Sequence, residues 1–417
     1  MAGNSGIYDI LIRDATIVDG TGAAARKGSI AVRGGKIVRI GFDDGASGSA
    51  SGTPSAGGPQ GGSAAKGGMA DGTPAARVID GTGLIACPGF IDVHNHADLF
   101  LLDDSGMDIL VRQGVTTFSG GHCGLGPAPV GRGEYAAALR DSFGVRSAVD
   151  YDTFGEWLAR VEAKGLVINF VPFCGHGAIR GAVLGNDYYR PSTEAETAGI
   201  RDRAEEALES GAFGISTGYD GIWPGTFADR REQVTVAKAA ARYGAIYTCH
   251  TRHHQYGWAA ADTPAESGYG VFHGPAGEAF FGRYHGQLEA LDVAREAGAR
   301  LHIAHLSTPY LVHQPHPARL DEELARAALE EIVDRNRALG MDVSFNVIPN
   351  IESIATESPV IGWFLKAVPS CTEGEFIRSL DSAEFRERLR NVFLSGRMKF
   401  AWIHPLVDPY WFDCFIV

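Results

Sequence analysis

Phe90-Ile91-Asp92-Val93-His94-Asn95-His96-Ala97-Asp98, directly after Cys87-Pro88-Gly89, alternates apolar residues into two histidines one residue apart. On a strand, positions i and i+2 face the same way, so the run predicts His94 and His96 projecting together from a strand end. Two imidazoles on one rigid strand end can grip one divalent metal with both ring nitrogens fixed before binding. A bare His-x-His pair is more often a satisfied or exposed pair than a ligand set. Here the run follows a Pro-Gly turn and is answered by further Cys and His at later strand ends, which favours the metal.

Outward from this stretch the pattern becomes strand, then helix, repeated. Strands are predicted over residues 90–94, 116–119, 167–173, 213–216, 246–250, 301–305 and 342–347, with helices over 193–210, 230–243, 288–298 and 321–340. Gly211, Gly244, Gly298 and Gly340 stop these helices as C-terminal glycine caps do. Strands alternating with helices imply a parallel sheet. Seven strands in one series, with functional-looking residues after their C-terminal ends, fit an α/β fold of the (β/α)8 TIM-like barrel type better than an open sheet. An eighth strand is not obvious. Residues 253–286 are expected to form a lid-like insertion over the barrel mouth, since long loops are uncommon unless they bind or cover something.

Before Phe90, residues 8–20, 28–41 and 77–88 alternate with period two between Gly-rich turns, which predicts a small β unit over 1–88. Residues 45–76 interrupt it with Gly, Ser, Ala and Pro and carry almost no large apolar side chain, the composition of a disordered insertion. The barrel is expected over 89–417 and incomplete at its C-terminal end, because the chain stops inside the apolar run Phe412-Asp413-Cys414-Phe415-Ile416-Val417.

The 417-residue chain carries a formal charge of −13. That argues against nucleic acid or an anionic membrane as partner, since both want a basic face. Residues 1–8 show no basic run before an apolar core, and no apolar stretch approaches membrane-spanning length. Six cysteines without a Cys-x-x-Cys pair form no disulfide framework. The expectation is reduced thiols in a cytoplasmic protein acting on a small molecule. Nothing in the composition sets an oligomeric state.

Gly120-Gly121-His122-Cys123-Gly124 follows the second barrel strand, the fifth ends in Tyr247-Thr248-Cys249-His250-Thr251-Arg252, and the sixth in His302-Ile303-Ala304-His305-Leu306-Ser307. Glycines around Cys123 let the backbone approach a metal closely, and a thiolate is a strong zinc ligand. His250 and His305 close successive parallel strands, which sets both over the barrel axis. His94, His96, Cys123, His250 and His305 therefore make a five-membered candidate metal set.

With these residues in place, the chain resembles the amidohydrolase superfamily, and within it the D-aminoacylase or N-acyl-D-amino-acid deacylase family. Pro88 to His96 is similar to the superfamily's first-strand motif and Gly121-His122-Cys123-Gly124 to the family's metal-binding cysteine loop. Gly214-Ile215-Ser216-Thr217-Gly218, His250-Thr251-Arg252 and Ala304-His305 match further signatures in order. The resemblance implies a small β-sandwich ahead of the barrel. It implies a tight zinc on Cys123, His250 and His305, with His94 and His96 lining an adjacent, weaker site. It also implies hydrolysis of a linear amide C–N bond in an N-acyl amino acid or related amide. The family's catalytic aspartate follows the eighth strand, which puts it beyond Val417, and Asp413 lacks the Gly-rich context of a site loop.

Two departures bear on substrate contacts: the family's His-x-Arg-x-Glu reads His250-Thr251-Arg252-His253-His254, and Ser307 stands where relatives often carry a basic residue. Arg252, Ser216, His176 and Ser307 are the candidate substrate-binding residues. Arg180 is a further candidate carboxylate clamp, Thr217 a further donor to a substrate oxygen, and Tyr219 and Trp223 candidate walls of an acyl pocket. Two rival readings stand beside the deacylase. One is a cyclic-amide hydrolase of the dihydroorotase or hydantoinase kind, which usually needs a bridging lysine that residues 213–218 lack. The other is an inactive, truncated barrel that binds metal without turnover.

Overall fold

The computed structural model of the chain describes residues 7–43, 73–103, 107–131, 145, 147–188, 190–219, 224–252, 272–273, 279–280, 282–306, 317–348, 378–379 and 381–387. The chain divides into two compact units, Met1–Phe90 and Ile91–Val417.

The first unit is built on β1 (Tyr8–Ile17), β2 (Arg26–Arg33), β3 (Lys36–Phe42), β4 (Ala75–Asp80) and β5 (Ile85–Ala86). These make one mixed sheet in the order β3-β2-β1-β4, with β5 also pairing β1. Among the described residues it is a single sheet, not the two-sheet sandwich that the resemblance implies. Leu11, Ala15 and Ile17 of β1 are buried in it. The stretch 77–88, expected as one strand, is two. Asp80-Gly81-Thr82-Gly83 turns between them, with Asp80 Oδ1 accepting the Thr82 N–H at 2.9 Å and Gly83 at φ 77°. Ala75 and Ala76, expected inside the insertion, pair in parallel with β1 from Tyr8 onward. Residues 45–72 of that insertion lie outside the described residues.

Among the described residues the main sheet of the second unit has seven strands: β6 (Phe90–Asp92), β7 (Val115–Gly120), β8 (Asn169–Gly175), β9 (Gly214–Gly218), β10 (Ile246–His250), β13 (Arg300–Ile303) and β14 (Val343–Phe345). They lie side by side in chain order, and the registered pairs are parallel. Among the described residues the helices include α1 (Met107–Arg112), α2 (Phe154–Lys164), α3 (His176–Leu184), α4 (Glu194–Glu209), α5 (Arg230–Arg242), α6 (Gly282–Ala297), α7 (Ala318–Ala328) and α8 (Arg335–Ala338). A π-helical turn over Leu329–Asp334 joins the last two, inside the helix expected at 321–340. Thr153 and Thr193 open α2 and α4 with capping boxes, each hydroxyl accepting from a glutamate N–H whose carboxylate returns to the threonine backbone. Small residues let the helices lie close on the sheet: Ala204, Ala207, Ala237, Ala240 and Ala294 are fully buried beside Ile200, Val236 and Val293.

α6 begins at Gly282, so it takes in the last residues of the expected insertion at 253–286. A short antiparallel pair, β11 (Phe272–His273) with β12 (Ala279–Phe280), is its other described part. The main sheet is curled, and its two edges approach each other. Asn346, just after β14, reaches within 3.3 Å of His94, just after β6.

Candidate metal centre

The centre is assembled where the parallel strands end. β6 stops at Asp92, earlier than expected, so His94 and His96 sit beyond the strand and not on it. Asp92 holds the loop instead. Its carboxylate accepts the His94 N–H at 3.1 Å and the Asn95 side-chain amide at 2.7 Å, while Asn95 Oδ1 accepts the Ala97 N–H at 2.7 Å. The two imidazoles end up edge-on, ring centres 5.5 Å apart.

Cys123 sits in the tight loop after β7 with φ 55°, flanked by Gly121 at 81° and Gly124 at 73°. Glycine is obligatory at 121, since an added Cβ would meet Phe173 O at 1.9 Å. Ser216, on β9, ties both ends of the loop: its hydroxyl donates to Gly121 O and accepts the Gly124 N–H at 3.1 Å. The Gly177 N–H, from the first turn of α3, adds a bond to Gly124 O at 2.8 Å. His305 lies past the end of β13 with φ 36°. Left-handed backbone at two non-glycine residues costs energy that the surrounding bonds must offset, a pattern typical of functional sites.

Cys123 Sγ is 3.2 Å from His94 Nε2 and 3.5 Å from His305 Nε2. His250, the last residue of β10, meets His305 edge-on at 4.5 Å between ring centres. Two trios result, His94–His96–Cys123 and Cys123–His250–His305, each with ligand atoms within 4.8 Å of one another. The thiol belongs to both.

Burial, with the repulsion of neighbouring histidines, lowers His94 to about 2 and His305 well below the ordinary imidazole range. Burial likewise takes His96 to about 4, against the pull of Asp92, and His250 to about 3. All four rings are therefore neutral at pH 7, the form that binds metal. Burial pushes the Cys123 thiol far up, so a cation is what would hold it as thiolate. A buried thiol amid neutral imidazoles, with His96 Nδ1 lacking a partner, is a donor set suited to zinc.

The expected substrate residues are engaged elsewhere. Arg252 donates to Glu289 Oε2 at 2.9 Å and to the carbonyls of Thr226 and Ala228 at 2.9 and 3.0 Å. His176 Nε2 lies 2.7 Å from Glu232 Oε1, whose other oxygen accepts from Arg180, and all three side chains are sealed from solvent. Ser216 is the loop tie just described. Tyr219 is buried with its hydroxyl 3.2 Å from that of Tyr247, and Thr217 donates to Thr248 O at 3.2 Å. Ser307, Trp223, His253, His254 and Asp413 lie outside the described residues.

Three residues escaped sequence reasoning. Asp98 is buried beside Gly120, and burial lifts its carboxyl to about 7 against the pull of the nearby backbone N–H groups of Gly121, Asp98 and Leu99. His302, on β13, and Asn346, just after the neighbouring β14, bond to each other at 3.0 Å. For Asn346 the signal was present: a polar residue in Phe345-Asn346-Val347 closes a strand just as the histidines do.

No family model matches the chain. An N-acyl-D-aspartate deacylase of Alcaligenes xylosoxydans xylosoxydans is 38% identical over 247 residues, covering 58% of this chain and 43% of its own. An N-acyl-D-glutamate deacylase of the same organism is 28% identical over 342 residues, covering 82% and 57%. The solved N-acyl-D-glutamate deacylase of Bordetella bronchiseptica, complexed with zinc and a phosphonate inhibitor, superposes with TM-score 0.60 at 27% identity. That match covers 82% of this chain and 59% of the other. A crystal structure of D-aminoacylase, described as defining a subset of amidohydrolases, gives TM-score 0.59 at 25% identity with the same coverage. The chain thus spans about half the length of the curated relatives it matches. Over that shared length, in sequence and in fold, the chain is similar to D-aminoacylase and the N-acyl-D-amino-acid deacylases.

Proposed function

We propose that this protein is a zinc-dependent hydrolase of linear amide C–N bonds, acting on N-acyl-D-amino acids. The observation that carries the reading is the shared thiol: Cys123 stands between two histidine pairs at the C-terminal ends of parallel strands. The reading takes the curled seven-stranded sheet as part of a (β/α)8 barrel, whose chemistry sits on that face. Cys123, His250 and His305 hold the tight zinc, and His94 and His96 line a second, weaker position. Bound zinc would supply an activated water and polarise the amide carbonyl. The protein's own part is to fix the ligands through Ser216 and Gly177, keep the imidazoles neutral by burial, and exclude bulk water. No carboxylate among the described residues is assigned the proton transfer. β9, Gly214–Gly218, has no lysine to bridge two metals, which favours a linear amide over a cyclic one.

Zinc analysis of the full chain tests the centre. The expected result is one tightly held zinc, lost in both Cys123→Ala and His250→Ala; full occupancy in both variants overturns it. Incubation of the zinc-loaded protein with matched N-acetyl-D- and L-amino acids tests the chemistry. The expected result is D-selective hydrolysis, abolished by a chelator and restored by zinc. Zinc binding without cleavage of either series leaves a metal-binding barrel and refutes the enzyme.

A further inference from the structure

Asn346 has no part in the ligand set, yet its side chain joins three histidines. Its Oδ1 accepts the His305 backbone N–H at 2.5 Å, and its Nδ2 faces His302 Nε2 at 3.0 Å and His94 Nδ1 at 3.3 Å. The amide cannot be turned over, because Nδ2 would then face the His305 N–H, donor against donor. The orientation fixes the protons down the line. His302 accepts on Nε2, so its Nδ1–H donates to Ser344 Oγ at 2.9 Å, and Ser344 donates on to Leu301 O at 3.4 Å. The second Nδ2 hydrogen points at His94 Nδ1, so the proton of the neutral His94 ring resides on Nε2. That nitrogen is the one 3.2 Å from Cys123 Sγ.

We propose that Asn346 is a positioning residue that holds His94 as a hydrogen-bond donor to Cys123, so that this chain binds one metal tightly and resists a second. A histidine that ligates through Nε2 carries its proton on Nδ1 and donates it to a carboxylate, carbonyl or water. Asn346 presents a donor there, the wrong partner. His305, by contrast, donates to Asn346 only through its backbone N–H, where the bond supports its left-handed φ of 36°. The same side chain thus braces one ligand of the tight trio and disfavours one ligand of the other.

The inference rests on the metal centre proposed above, and Asn346→Asp tests it separately. The carboxylate keeps the acceptor for the His305 N–H and becomes an acceptor for His94 Nδ1–H. Competition against a chromophoric chelator, titrating zinc into the wild type and the variant, reads both equivalents. The first should bind alike in the two proteins. The second should tighten at least tenfold in Asn346→Asp, within the roughly 10- to 100-fold range of such outer partners. In His94→Ala/Asn346→Asp that gain should vanish. A gain that survives the loss of His94 is mere added charge and overturns the inference, as does a second equivalent unchanged by Asn346→Asp. A wild type that binds no zinc removes the centre itself. Long-range ¹H–¹⁵N spectra of the wild type with one zinc equivalent need no variant to fold: His94 should be protonated at Nε2, and protonation at Nδ1 refutes the proposal.

Discussion

Replacing Glu232 by glutamine removes one charge from a site closed to water on every side. Glu232 holds Arg180 and His176 at once, and none of the three is exposed. Burial pushes this carboxyl up, but the hydrogen bond and charge of His176 and the charge and hydrogen bond of Arg180 outweigh it and hold it at about 2. Set against an ordinary 4.5, a value of about 2 stabilises the fold at neutral pH by about 3 kcal/mol, at about 1.36 kcal/mol per pH unit. Breaking a buried pair costs about 3–5 kcal/mol by direct comparison, because a charge is left without its partner. The two routes agree. The sign follows from the depressed value: the stabilisation is complete above the unfolded value and fades as pH falls toward the folded one. About 2 kcal/mol of it should be gone by about pH 3. Urea denaturation followed by tryptophan fluorescence, at neutral pH and at stepwise lower pH, measures both effects. A loss under about 1 kcal/mol at neutral pH refutes the account, and so does a gap between wild type and Glu232→Gln that stays constant as the solution is acidified.

Ser216→Ala removes both ties on the Cys123 loop and should weaken the first zinc equivalent by about tenfold; unchanged affinity in a chelator competition would show that the glycines alone shape the loop. Thr193→Ala opens the capping box of α4 and should cost about 1 kcal/mol, read as a lower denaturation midpoint.

The strand-helix alternation carried the parallel sheet because period-two runs and glycine stops are local signals, and α5 and β10 fall where the sequence places them. The metal-ligand candidates were legible for the same reason, each closing an apolar run. What failed was anything set by partners far along the chain. Arg252 and His176 read as candidate substrate contacts, and their actual partners were hidden because Glu289 and Glu232, which engage them, lie 37 and 56 residues away. Ser216 looked like a donor to substrate because its two bonds cross to a loop more than 90 residues earlier. The first unit was misjudged differently. Its turn at Asp80 to Gly83 is local, but whether its strands form one sheet or two depends on pairing, which alternation alone does not encode.

The stitch between the edges of the curled sheet has a consequence for the order in which the protein folds. His94 and Cys123 are 29 residues apart in the chain, whereas His94 and Asn346 are separated by 252. Closing the longer loop costs about 2 kcal/mol more chain entropy than the shorter one. Contacts that span most of a chain also form late, after the local strand-helix units have docked. The His94–Cys123 half of the centre can therefore assemble early, while His305 and Asn346 arrive only with β13 and β14, the last of the described strands in the main sheet. Cys123, almost wholly buried in the finished fold, then serves as a clock. During refolding its thiol should stay open to alkylation until those strands arrive, and become shielded in the same step.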